Sequence, residues 1–190
     1  MNTSPEIENI ISRAIETAKS YNHEYVTIEH LLHALITHQP FKKVLNQFNV
    51  DTDLMIGEIE SYLNGLHAIE SKDPECVPKK TNSLERVMNR GVTQVLFTGR
   101  RQVTTMDLYL SIATEGNTHA HYFLLKYGVN KTQFIEFWQK NYRHQDSQSI
   151  SSDQADDILE EYEFLIPPSE LEAPEAATAA RPDVPLTDQE

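Results

Sequence analysis

Apolar residues recur at intervals of three and four through most of the first 142 positions, and strand-like alternation is nearly absent. That periodicity predicts an all-α chain. Ser4-Pro5-Glu6 suits a helix start, and Ile7, Ile10, Ile11, Ala14, Ile15 and Ala18 then mark one buried stripe. Thr27 is the expected cap of a second helix with Ile28, Leu31, Leu32, Leu35 and Ile36 on its apolar face. Pro40 begins a short third helix bearing Phe41, Val44, Leu45 and Phe48. Asp51 or Thr52 caps a fourth, with Leu54, Met55, Ile59, Tyr62 and Leu63, ending near Gly65.

The plan then repeats. Arg13–Thr27 lies over Arg90–Thr104 without a gap, and the match continues with Leu31 over Leu108, Leu35 over Ile112 and Thr37 over Thr114. After a two-residue insertion, Leu45 lies over Leu124, Phe48 over Tyr127, Val50 over Val129 and Met55-Ile56 over Phe134-Ile135. The second copy therefore predicts a helix with Leu84, Val87, Met88, Val92 and Val95, then one capped by Thr104. A short helix with Tyr122, Phe123 and Leu124 comes next, and Asn130 opens the last, with Phe134, Ile135 and Trp138. The expectation is about eight helices in two four-helix units, about 4–66 and 82–142, within a domain of residues 1–144. Residues 67–81, with Pro74, Pro78 and Lys79-Lys80 but few apolar side chains, read as a linker. A duplicated helical unit points to a binding module, and its halves are expected to bury their apolar faces on each other as a monomer.

Charge separates this body from the C-terminal end of the chain. The whole carries a net charge of −13; residues 1–145 hold 16 acidic and 15 basic side chains, and residues 146–190 hold 13 acidic and one basic, Arg181. Residues 145–190 are thus expected to form a disordered acidic tail. Within it, 156–166 is an apolar–acidic island that reads either as a transient helix or as a short docking motif. A near-neutral body argues against nucleic acid as partner. No apolar run has the length of a membrane span and no signal pattern opens the chain, so a cytosolic protein is expected. The lone Cys76 fits that compartment.

Candidate chemistry is sparse. His30 and His33 lie three apart and His119 and His121 flank Ala120, but neither pair has the spacing of a helical zinc motif, so no metal is expected. The six glycines are scattered and build no phosphate loop; no nucleophile elbow occurs. The expectation is a non-enzymatic protein with no catalytic residues and no cofactor. What stands out is the polar content of His23-Glu24-Tyr25-Val26-Thr27-Ile28-Glu29-His30-Leu31-Leu32, at a helix junction whose apolar positions are already accounted for. Glu24 and Glu29 are predicted to be exposed; Glu29 would complement the helix dipole, worth about 0.3–1 kcal/mol, while Glu24 has no such explanation.

This segment, continued by His33-Ala34-Leu35, resembles the His-Glu-aromatic-x-Thr-x-Glu-His-Leu-Leu-x-Ala-Leu signature of Clp ATPase N-terminal domains. Val50-Asp51, Ser83-Leu84-Glu85-Arg86-Val87-Met88 and Val103-Thr104 with Leu108 extend the likeness over about residues 4–142. Lys79-Lys80-Thr81 before Ser83 is more similar to ClpA than to ClpB or ClpC.

The resemblance implies a pseudo-two-fold double repeat of four helices. It also implies a site for a ClpS-like adaptor at Glu24, Glu29, Thr81, Arg86 and Arg90, with Clp ATPases or protein substrates as further partners. Asp157–Tyr162 resembles the lead-in to a first ATPase module, but no module is present in the 190 residues. A body of this kind without a motor is expected to regulate proteolysis as a decoy for the adaptor. The rival expectation is partner docking through the acidic tail, which deletion of 146–190 would abolish.

Overall fold

The computed structural model describes residues 4–142. The acidic tail and its 156–166 island lie outside them. The element order is α1 (Pro5–Ser20), β1 (Tyr25–Val26), α2 (Ile28–Thr37), α3 (Gln39–Gln47), α4 (Thr52–Asn64), a 3-10 turn (His67–Ile69) and β2 (Lys79–Lys80). It continues with α5 (Asn82–Phe97), α6 (Thr105–Thr114), α7 (His119–Lys126) and α8 (Lys131–Tyr142). The fold is all-α apart from the two short strands.

Local chemistry sets the helix starts. Ser4, Asp51, Thr81, Thr104 and Thr118 each accept a hydrogen bond from a first-turn backbone N–H of the helix beginning there. The turns after α1 and α5 place Asn22 (φ 57°) and Gly99 (φ 66°) in the left-handed region. Those after α3 and α7 do the same to Asn49 (φ 67°) and Gly128 (φ 73°). These residues correspond in the repeat, and Asn and Gly are the types that tolerate that conformation at the end of a helix.

At the centre lie α2 and its counterpart α6. Helix α2 packs against α1, α3, α4, α5, α6 and α7, and α6 against α2, α5 and α7. Every residue of α6 from Met106 to Ala113 is buried, and so is every residue of α2 from Ile28 to Ile36 except His33. The apolar stripes of the flanking helices face this pair: Ile7, Ile10, Ala14 and Ala18 of α1, and Leu84, Val87 and Val95 of α5.

The fourth helix of each unit reaches across to the third helix of the other. On α4, Tyr62 stacks on His119 and meets the Phe123 ring, and Glu58 accepts from Lys126 Nζ at 2.7 Å, both contacts being to α7. On α8, Phe134 packs edge-on against Phe41 and Phe48 of α3, and its ring centroid lies 4.7 Å from that of Tyr109. Tyr142 hydrogen bonds Gln47, also on α3. The units are thereby interlocked rather than merely abutted.

Residues 67–81 run between the units and are tied to the loop before α2. Glu24 N–H donates to Ile69 O at 2.7 Å and Ser71 N–H to Asn22 O at 2.7 Å. Lys79 N–H then donates to Glu24 O at 2.8 Å, and Thr81 N–H to Val26 O at 3.2 Å. β1 and β2 pair in parallel, Tyr25 opposite Lys79 and Val26 opposite Lys80. The segment is stitched to residues 22–26 at both ends, through 69–71 and through 79–81. Backbone hydrogen bonds of this kind leave no trace in side-chain composition, which is why the sequence reads there as linker.

Candidate protein-binding face

The β1–β2 pair brings the loop before α2 beside the segment that leads into α5: Glu24 O meets Lys79 N–H, and Val26 O meets Thr81 N–H. Glu24 is exposed, its backbone held on both sides by Ile69 and Lys79. Thr81 is fixed twice: its N–H bonds Val26 O, and its Oγ1 accepts from Leu84 N at 3.2 Å to cap α5. One turn into α5, the Arg86 side chain is 59% exposed; its Nη2 donates to Ser83 Oγ at 3.1 Å and lies 3.5 Å from Glu115 Oε2.

Arg90, a further turn along, is committed to the fold. Its Nη1 donates to Ser111 O at 3.0 Å and its Nη2 to Glu115 Oε1 at 2.9 Å, tying α5 to the end of α6. Arg13, its counterpart, does the same between α1 and α2 by donating to Thr37 Oγ1 at 2.9 Å. Burial pushes the Glu115 carboxyl upward, but the hydrogen bonds and charges of Arg90 and Arg86 outweigh it and hold the group below its usual range.

Glu29 departs from the expectation of exposure. It is buried, 7% exposed, and its Oε1 accepts from Ala120 N at 3.2 Å, at the N-terminus of α7. The first-turn carboxylate of α2 therefore caps a helix of the other unit instead of facing solvent. Beside it, burial first and the Glu29 charge second push the Tyr62 hydroxyl up to about 12.

His23 and His30 form a second buried polar contact. Both are buried. Thr27 N–H donates to His30 Nδ1 at 2.9 Å, which makes that nitrogen the acceptor and leaves the ring proton on Nε2. Nε2 lies 2.9 Å from His23 Nδ1, to which it donates. His23 also stacks on Tyr21. This neutral pair fixes the loop that carries Glu24.

Sequence reasoning misses the exposed residues that complete the face. Lys79 and Lys80 are both exposed, as are Val77 and Tyr25. A signal for them exists, a pair of lysines between a proline and a helix cap, but by composition alone it is the signature of a linker. Among the described residues no three or more histidine, cysteine or acidic side chains cluster in a way that could hold a metal, and no helix is long and apolar enough to cross a membrane.

Residues 2–127 match the model of the Clp repeat (R) N-terminal domain. A ClpA homolog protein of Fuscovulum blasticum is 28% identical over 142 residues, a match that covers 70% of this chain and 17% of that protein. The chain thus spans under a fifth of the length of that relative. Among solved structures, the Hsp104 N-terminal domain from Candida albicans aligns with a TM-score of 0.62 at 17% identity, covering 72% of this chain and 91% of that one. A chain from structural work on a malarial protein secretion system gives a TM-score of 0.63 at 14% identity, covering 74% and 98%. These two likenesses concern the fold.

Proposed function

Because the chain belongs to the Clp repeat N-terminal domain family, protein-interaction domains of Clp ATPases, we propose that it is a non-catalytic docking module that binds a ClpS-like adaptor or protein substrates in the cytosol. Residues 4–142 act as one double-repeat domain, and binding runs through the surface where β1, β2 and the first turns of α5 meet. Glu24 and Arg86 are its exposed charged contacts, and Thr81 holds the strand and the helix in register. Arg90 and Glu29 act behind the surface, Arg90 by orienting α5 against α6 and Glu29 by fixing α7.

The observation that carries this reading is the pairing of β1 with β2. It sets the loop that carries the exposed Glu24 beside the strand that leads into α5 and the mostly exposed Arg86, whose ion pair with Glu115 is a long 3.5 Å. Exposed charges so placed set register and association rate more than affinity. Calorimetric titration of a ClpS-like adaptor into the 190-residue chain tests the proposal. One-to-one binding weakened by both Glu24→Ala and Arg86→Ala supports it; absence of binding, or binding indifferent to both substitutions, overturns it.

A further inference from the structure

We propose that the outer edge of β2 captures an extended acidic segment of a partner protein as a third strand. This specifies how the face described above engages its partner and rests on that reading. In a parallel pair, alternate residues turn both backbone groups to one neighbour, and the residues between turn theirs the other way. Lys79 and Thr81 donate inward, to Glu24 O and Val26 O. The N–H and C=O of Lys80 therefore point away from β1, and neither has a hydrogen-bond partner among the described residues. Lys80 is exposed, so this outer edge is open to a guest.

The surroundings suit an extended chain. Beside Lys80 lies an open depression of about 340 Å³ lined by Lys80, Glu85, Met88 and Asn89. Val77, 69% exposed, stands just before the strand. Pro78 between them offers no N–H, which limits the pairing upstream to the Lys80 groups. Side chains of a guest strand alternate between faces, so one set meets the side of Lys80, Met88 and Asn89 and the other the side of Lys79, a cation on each.

Charge selects the occupant. Lys79 and Lys80 take part in no ion pair among the described residues, and Arg86 is mostly exposed nearby. Lysines on a strand edge guard it against a like edge, which disfavours a second copy of this chain. The same two cations attract carboxylates. Glu85 in the same lining disfavours a carboxylate beside it, which leaves the position next to Met88 to an uncharged side chain. The fitting partner is a segment alternating acidic with apolar residues.

The test is a nuclear magnetic resonance titration of the ¹⁵N-labelled 190-residue chain with an acetylated peptide of alternating glutamate and valine, carried to millimolar concentration. The proposal expects shifts centred on the amides of Lys80, Met88 and Asn89, absent with an alternating lysine–valine peptide. Lys80→Pro removes the outward N–H without touching a ladder bond, and should weaken binding about fivefold beyond Lys80→Ala, the effect of one net hydrogen bond. A glutamate–valine peptide N-methylated at alternate residues should also bind less tightly, which covers the case of a misfolded proline variant. Silence at millimolar peptide, shifts centred elsewhere, or equal response to the basic peptide overturns the proposal. Adaptor binding that is sensitive to Arg86→Ala but indifferent to Lys80→Pro would remove the strand addition and leave the docking function. Peptide capture without adaptor binding would do the reverse.

Discussion

His30 Nε2 donates to His23 Nδ1 across 2.9 Å, at the place where the second unit holds an ion pair, Arg100 with Asp107, whose Nη2–Oδ1 distance is 2.7 Å. Thr27 N–H donates to His30 as Thr104 N–H donates to Asp107. The two units solve one geometric problem, a buried cap between consecutive central helices, with different electrostatics. The first version depends on both rings staying neutral.

Burial, then the neighbouring His23 and His33, push His30 down to about 3. Burial also lowers His23, with Glu70 opposing and His67 assisting. Unfolded histidines take up protons near pH 6.5, so this pair's contribution is complete above that value and declines as pH falls towards 3. Thermal melts should show a loss of roughly 5 °C between pH 7.5 and 5 from this source. His30→Asp would let His23 protonate beside a carboxylate, raising its pKa and adding stability below pH 6.5. The difference between variant and parent melting curves should therefore tilt in the variant's favour on acidification; parallel curves would refute the account.

Glu29→Ala leaves the buried Ala120 N–H without its acceptor, and a cost of about 1–3 kcal/mol is expected in denaturant unfolding. Glu29→Gln keeps an acceptor oxygen and should recover much of it. Adaptor affinity, measured well below the melting temperature, should change little in either. A large affinity loss with unchanged stability would return Glu29 to the binding surface.

Arg86 and Arg90 should separate cleanly. Arg90→Ala strips the partly buried Glu115 and Ser111 O of their donors, and a destabilisation of about 1–2 kcal/mol is expected. Arg86→Ala should stay within about 0.5 kcal/mol of the parent, since its groups face solvent, and should act on adaptor binding alone. Paired unfolding and calorimetric titrations would check both.

Phe134→Ala opens a cavity ringed by Tyr109, Phe48 and Phe41, and about 3–5 kcal/mol of stability should go with it. Scanning calorimetry should register a drop of roughly 10 °C. The family match stops at residue 127, short of α8, yet a chain cut there would uncover the same aromatic faces. A truncated chain that melts at the parent temperature would show that α8 is dispensable.

Much of this architecture is legible from spacing alone. The stripes of α1 and α5, the caps at Ser4, Thr27 and Thr104, and the alignment of Met55 with Phe134 come from helical period and repetition. Burial of polar groups does not. Helix α2 is covered on nearly every side, so Glu29, expected to be exposed, ends up inside, as does His30. The course of residues 67–81 is hidden for another reason: its order comes from backbone bonds, to which side-chain pattern is blind. Of the residues singled out for binding, Glu24 and Arg86 are exposed, Thr81 joins β2 to α5, Arg90 ties α5 to α6 and Glu29 serves the opposite unit.

The crossing of α4 onto α7 and of α8 onto α3 makes each half complete the cover of the other. A single four-helix unit would leave the faces of Phe41 and Phe48, or of Phe123, partly without cover. The double repeat supplies that cover within one chain, each half lending aromatic and charged contacts to the other.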